Sequence, residues 1–311
     1  MSVTGTFLAW FLVSYLYAGM GITLGYHRLL THKALKVPAW LKYFIVSGGY
    51  LALMGAPISW VATHRLHHQK SDQPGDPHSP RDGMKHALYA WMMNMSEKQP
   101  PEEVRRQTPD IIDDPVLKLF GQDHTAFQGY LCLTINILWR AAIWYFFGPV
   151  AFAANFLAGF IVFWSPQFVN TFCHLKEHGY RLWDVRDDSR NVWWVAILAC
   201  GEGWHNNHHA LPKSARHGMM WWEFDITWMT ILLLEKLGLA TDVVRPDLAP
   251  LYAKNAKAKE VGVGALNKAK MDSAELVNKA KIESAELAKK AEEAISAVSA
   301  KMTGEVAESV K

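Results

Sequence analysis

Three clusters of histidine, each at the end of an apolar segment, constrain this chain more than any other feature. The first is His27 and His32 in "LGYHRLLTH", the second His64, His67 and His68 in "HRLHHQKSDQPGDPHS", and the third His205, His208 and His209 in "EGWHNNHHALPKSARHG". Residues i, i+3 and i+4 share one helix face, so each triplet aims its rings at a point just beyond a helical surface. Convergent neutral imidazoles are what a transition metal requires. The eight residues are more than half of the 14 histidines in the chain, and since a closed tetrahedral site takes about four ligands, they point to two metals.

Other chemistries fit this pattern less well. Bis-histidine haem in a membrane bundle uses single histidines on facing helices. No Asp or Glu occupies the ligand spacings, which sets the chain apart from soluble four-helix di-iron proteins. An all-imidazole shell suits iron, zinc, copper or nickel alike. Cys132, Cys173 and Cys200 lie in apolar segments without a C-x-x-C pair and read as core residues. They are also too few for an iron–sulfur cluster, which takes about four ligands. With no HPGG-type haem motif and no G-x-G-x-x-G fingerprint either, electrons for any redox chemistry are expected from an external donor. His78, His86, His124 and His217 fall outside the box spacings and read as solvated loop residues.

Metals shared among the boxes require all three to lie on one side of a membrane, and parity then sets the topology. Residues 5–26, "GTFLAWFLVSYLYAGMGITLGY", carry no charge, are long enough to span a bilayer, and lack the basic start and cleavage site of a signal peptide. They cross towards the metal side. The apolar stretch 38–61 lies between two boxes and so cannot span; Gly48, Gly49, Gly55 and Pro57 let it re-enter or lie in the interface. Residues 128–147, which include Arg140, and 150–173 form a hairpin that turns at "GPV", 148–150, on the far side. Arg28, Lys33, Lys36, Lys42 and Arg65 fall on the metal side, which the positive-inside rule makes cytoplasmic. Residues 219–238 read as one further helix, interfacial or packed over the metals.

Residues 1–245 are thus expected to form one all-α integral membrane domain, in which transmembrane helices and interfacial or re-entrant helices carry a cytoplasmic His-rich cap. Residues 246–311 are a tail rich in Ala, Lys and Glu. Within it "NKAKMDSAELV", 267–277, is echoed by "NKAKIESAELA", 278–288, an eleven-residue repeat that reads as a solvated helix, or else a coiled-coil or membrane-surface segment. A net charge of +3 with no basic cluster among aromatics gives no sign of a nucleic-acid partner.

The boxes HRLLTH, HRLHH and HNNHH, in this order, resemble those of the membrane fatty acid desaturases. The flanks "SDQPGDPHSPRDG" and "GEGWHNNHHALPKSARHGMMWWEFDITWM" look like those of the cyanobacterial-type Δ9 acyl-lipid desaturases and their acyl-CoA relatives. The likeness runs from about residue 20 to 245. It implies a non-haem di-iron centre that activates O2, removes a hydrogen pair from an unactivated acyl chain and leaves a cis double bond, fed by a donor such as ferredoxin or a cytochrome b-type protein. It also implies a ninth histidine ligand, His174 of "VNTFCH", with Asn170 one turn earlier holding a water on the metal. The chain departs from the family in beginning at what resembles its second membrane helix, and in placing "LKEH" between His174 and "GYR", where the family has two residues. Asn170, His174 and His178 are spaced in steps of four, on one helix face, and Gly179 signals that the helix ends near His178, which then leaves the site.

Breaking a methylene C–H bond takes an oxidising metal, which rules for iron over redox-inert zinc. A featureless acyl chain needs a narrow apolar tunnel to hold it, and Trp60, Trp164, Trp193, Trp194 and Trp204 are the candidate walls. Two rival readings stand beside desaturation: a lipid or alkane hydroxylase or ketolase of the same metal class, and a non-catalytic membrane metal-binding protein. The acyl carrier stays open among CoA, carrier protein and glycerolipid.

Overall fold

The longest uncharged stretches of the chain become its longest helices in the computed structural model, which describes residues 2–93, 98–249 and 253. Helix α1, Val3–Met20, is capped by Ser2, whose Oγ accepts from the Gly5 N–H at 3.1 Å, and it runs on directly as a π-helix, Gly21–Thr31. Together, as Val3–Thr31, they are long and apolar enough to cross a bilayer. So is Ala126–Phe172, which contains a sharp reversal. There Gly148 takes φ +85°, a conformation that L side chains resist, and Pro149 has no N–H to continue the ladder. The two halves fold back antiparallel. Trp144 meets Phe152 with ring centroids 5.0 Å apart, and the Arg140 guanidinium lies against Gly159, where a Cβ would come within 2.6 Å of Nη2. The hairpin expected at 148–150 therefore turns where the sequence marks it. Phe127, Tyr145 and Phe146 on its outer side are each more than 70% exposed, a surface matched to lipid and not to water.

Between the first two boxes the chain dips and returns. Helix α2, Ala39–Leu51, has 13 residues, about 20 Å of rise, too short to span. Leu53 and Gly55, both at positive φ, turn it back into α3, Pro57–Lys70, which Pro57 opens from its first turn. Glycine makes the dip possible: a Cβ on Gly21 would lie 2.0 Å from Gly49 N, and one on Gly48 would lie 2.4 Å from the Tyr17 carbonyl oxygen. The backbones of α2 and the first helix pack in direct contact there.

The hairpin is α7 (Ala126–Phe172); the remaining helices are short: α4 (Trp91–Met93), α5 (Pro101–Gln107), α6 (Pro115–Phe120), α8 (Trp193–Leu198), α9 (His205–Ala210) and α10 (Ile226–Lys236), with a 3-10 turn at Pro80–Asp82 and a π-helical turn at His86–Ala90. No strand occurs among the described residues. The helix expected over 219–238 begins only at Ile226. Asp225 caps it, accepting from the Trp228 N–H at 2.8 Å. Before it, Glu223 takes the N–H groups of Met219 and Met220 while Asp225 takes those of His217 and Gly218, so the backbone bonds to carboxylates instead of forming a helical turn. Both acids are buried. Cys132, Cys173 and Cys200 are buried and unpaired. The described residues up to Asp247 make one compact unit; the eleven-residue repeat lies outside the described residues.

The close approach at α2 gives a stability test. Gly48→Ala is expected to cost about 1–3 kcal/mol through overpacking and to lower the thermal unfolding midpoint of the detergent-solubilised protein. Gly129→Ala, where a Cβ meets nothing within 4 Å, is expected to leave the midpoint unchanged or raise it.

Candidate metal centre

Four separate pieces of backbone deliver nine imidazoles to one place. In the π-helix each N–H bonds five residues back, and His32 N donates to the His27 carbonyl at 3.1 Å, so residues five apart stack and the two rings stand 4.7 Å apart. Helix α3 presents His64, His67 and His68 on one face, and α9 presents His205, His208 and His209. His174 sits two residues beyond the end of α7, its N–H held by the Thr171 carbonyl.

The nine divide into two groups. His27, His32, His64, His68 and His208 form one, and His67, His174, His205 and His209 the other, with the ligand atoms of each group within 4.8 Å of one another. The contacts between rings join nitrogen to nitrogen. Nε2 of His208 lies 3.1 Å from Nε2 of His27 and 2.9 Å from that of His68, which is 3.1 Å from that of His64; in the other group Nε2 of His205 and His174 are 3.0 Å apart.

Protons account for only part of this arrangement. Nδ1 of His67 donates to Asp76 at 2.9 Å, that of His174 to Asp72 at 2.8 Å and that of His209 to Asp187 at 2.9 Å, while Nδ1 of His27 lies 2.7 Å from Glu202 Oε2. A neutral imidazole has one N–H, so a ring that donates from Nδ1 presents a bare lone pair at Nε2. Nε2 of His32, His67 and His209 is buried without a hydrogen-bond partner. Lone pairs converging in a buried space repel unless a cation lies between them. Nitrogens about 2.1 Å from one ion stand about 3.0 Å apart when they take neighbouring corners of an octahedron, and the observed separations match that spacing. The residues present therefore fit a metal in each group.

The carboxylates that orient these rings are themselves held. Asp72 accepts from Ser79 Oγ at 2.8 Å and from the Asp188 N–H at 2.9 Å; Asp76 accepts from the Asp72 and His78 N–H groups. Glu202 takes two bonds from Arg28, which is wholly buried and also grips Asp225. Helix α9, only six residues long, is pinned through its two asparagines. Asn206 Oδ1 accepts from the Leu182 and Trp183 N–H groups, and Asn207 Nδ2 donates to Glu223 and to the His217 carbonyl.

Burial pushes His32, His64, His67, His68, His205, His208 and His209 well below the ordinary imidazole range, and crowding by neighbouring imidazoles adds to it. These rings are neutral, as ligands must be. At His174 burial opposes the charge, but the hydrogen bond to Asp72 outweighs it and the value rises.

A mainly apolar cavity of about 260 Å3 opens onto both groups, touching His27 and His64 of one and His205 of the other. Asn170 is in its wall, as is Trp60, whose ring stacks 5.0 Å from that of His64. The other expected wall residues lie elsewhere. Trp164 packs among Phe160, Phe163 and Phe168, Trp193 is 64% exposed, Trp194 packs on Phe168 and Phe172, and the buried Trp204 donates to the Phe224 carbonyl. Their nearness to the boxes in sequence did not set their side-chain directions. Trp91, unremarked in the sequence, lines the cavity instead.

The histidines read as solvated are corrected too. His217 and His78 are buried, the latter with its ring 4.3 Å from that of His67 and its pKa pushed down to about 3 by burial. His124 is half-buried against Thr63, and burial lowers it to about 4. His86 is also partly buried, with Nε2 donating to the Pro77 carbonyl. His178 lies in the turn after α7, outside both groups, its ring against Phe172. The helix ends at Phe172, earlier than Gly179 indicated.

A family model described as fatty acid desaturase matches residues 5–232. The sn-1 stearoyl-lipid 9-desaturase of Anabaena variabilis is 43% identical over 238 residues, 76% of this chain and 83% of that protein. The enzyme of the same name from Synechocystis sp. is 42% identical over 238 residues, 76% and 71% of the two chains. Delta-9 acyl-lipid desaturase 1 of Arabidopsis thaliana is 38% identical over 238 residues, 76% and 74%.

The division between His174 and His178 can be read directly from metal content. His174→Ala is expected to lose about half of the bound metal or more, and His178→Ala to retain all of it, when the metal-to-protein ratio is measured on purified protein.

Proposed function

The chain belongs to the fatty acid desaturase family, and we propose that it introduces a cis double bond between carbons 9 and 10 of a saturated acyl chain carried on a glycerolipid. The overall change takes one hydrogen from each of two adjacent methylenes and, with O2, two electrons and two protons, yields the alkene and two waters. The observation that carries this reading is the apolar cavity opening onto both histidine groups. The names of three relatives, which act on stearoyl-lipid or acyl-lipid at position 9, support the position and the carrier.

We infer that each group holds one iron, the first through His27, His32, His64, His68 and His208, the second through His67, His174, His205 and His209, with Asn170 completing the second through a water. Iron bound there would supply the oxygen activation and the hydrogen removal. The chain's own residues do the rest. Asp72, Asp76, Asp187 and Glu202 fix which ring nitrogen carries the proton and so keep Nε2 free. Trp60, flat against His64, forms a hard wall that presses a methylene pair towards the rings, and the apolar lining excludes water from a reactive site. Arg28, Lys33, Lys36, Lys42 and Arg65 at the histidine end support a cytoplasmic orientation. The electrons come from a separate carrier protein, ferredoxin or a cytochrome b-type protein.

Expression in a host that lacks this double bond, followed by chromatography of total fatty acid methyl esters, is expected to give a new monoene cleaved oxidatively at carbon 9. A hydroxy acid in its place would move the protein to the hydroxylases, and an unchanged profile with a loaded metal site would favour metal storage. Purified protein given O2 and acyl-lipid alone is expected not to turn over until a reduced electron carrier is added; turnover on a nicotinamide cofactor alone would contradict the external donor.

A further inference from the structure

A second cavity, of about 500 Å3, adjoins the apolar one, and Thr63, Trp91, Lys98 and His124 stand in the walls of both. Its character is different. The first is mainly apolar and reaches both histidine groups; the second adds Asp76, Asp82, His86 and Gln99 to its wall and touches no member of either group. Its volume falls in the range of about 300–1,000 Å3 common to pockets that hold a small molecule.

Two buried polar atoms in this wall have no hydrogen-bond partner among the described residues. Gln99 is 9% exposed; its Nε2 donates to the Ala62 carbonyl at 3.3 Å, and its Oε1 receives no donor. Trp91 meets the His78 ring edge-on with centroids 5.3 Å apart, and the Lys98 ammonium lies 4.7 Å from its ring centroid, yet its Nε1 N–H reaches no acceptor. Leaving buried polar groups unpaired is costly, and both residues border a space in which a ligand can pair them. They differ in place: Trp91 stands at the junction of the two cavities, whereas Gln99 lines the polar one alone. Charge narrows the ligand further. The polar cavity sets the carboxylates of Asp76 and Asp82 against one ammonium, Lys98, and Asp123 adds a third carboxylate in the adjoining wall. A phosphate placed there would meet more negative charge than positive.

We propose that the polar cavity holds an uncharged, hydroxyl-bearing headgroup of the acyl-lipid, a glycosyl group on the glycerol, with the indole N–H of Trp91 donating to the ester carbonyl at the junction and Gln99 Oε1 accepting from a headgroup hydroxyl. This rests on the reading that the protein acts on an acyl-lipid. The acyl chain then runs from the junction along the apolar cavity to the histidine groups, and the grip on the ester sets which carbons come to lie beside them.

The test is saturable binding of radiolabelled lipid, in detergent micelles, to the purified full chain, with galactosyl distearoylglycerol, distearoyl phosphatidate and stearoyl-CoA as probes. The galactosyl lipid is expected to bind at least about tenfold more tightly than either anionic probe. Gln99→Leu is expected to weaken the galactosyl lipid about 3–10-fold, the loss of one neutral hydrogen bond, and to leave the phosphatidate unchanged. Trp91→Phe keeps a ring and removes the N–H; because the ester is common to both glycerolipids, it is expected to weaken both by the same factor of about 3–10. Equal or tighter binding of an anionic probe would overturn the proposal, as would equal weakening of all three probes by Gln99→Leu, or galactosyl-lipid binding that neither substitution changes. Binding is read without turnover, so a protein that shows the expected pattern yet leaves the acyl chain saturated upholds this site and fails as a desaturase.

Discussion

The convergence of nine imidazoles in one place is the constraint on which this structure depends. Uncharged rings of this kind could be accommodated separately at little cost, each with a water or a carbonyl. Here Nε2 atoms stand about 3 Å apart in buried space, and on His174, His67 and His209 the proton is held on the far side of the ring by Asp72, Asp76 and Asp187. The carboxylates thus do more than orient. By fixing the tautomer of those three rings they leave each with a bare lone pair at Nε2. What remains is a pair of buried donor sets that suit a cation, and binding of one there would be coupled to the folding of the four segments that meet.

Much of the rest of the chain serves that convergence. The first helix widens from α to π where His27 and His32 must share a side. The α2–α3 dip brings the second box back to the level of the first, and it is possible because Gly21, Gly48 and Gly49 let backbones touch. Arg28, buried between Glu202 and Asp225, ties the first box to the segments on either side of the third; a guanidinium there would be costly without both acids, and both acids costly without it. The hairpin of α7 ends at the site, delivering Asn170 to the cavity and His174 to the second group. The apolar cavity is the space left between these elements in front of the two groups.

The parts of this arrangement that were legible in the sequence are those set by period and by parity. Spacings of three and four put the box histidines on helix faces, and the need for three boxes on one side made 38–61 a dip and 148–150 a turn. The parts that were not legible depend on loops. Asp72, Asp76 and Asp187 approach from irregular segments at no fixed spacing from the rings they serve, so a search for carboxylates at ligand intervals passes over them. His217 looked like a residue of a wet loop because no period marks it; its burial comes from Glu223 and Asp225, whose carboxylates collect the backbone N–H groups around it and fold that loop inward. The same acids shortened the last helix. Trp164, Trp193, Trp194 and Trp204 do not line the cavity, because closeness in sequence to a box says nothing of side-chain direction, whereas Trp60, one helical turn before His64, had to share its face.

The most direct test of this account is anomalous diffraction at the iron absorption edge from crystals of the full chain grown with iron. Two peaks are predicted, one bounded by His27, His32, His64, His68 and His208 and the other by His67, His174, His205 and His209, each bonded through Nε2 of the rings. A single peak, a peak bonded through Nδ1 with the aspartates displaced, or iron bound away from both groups would contradict it.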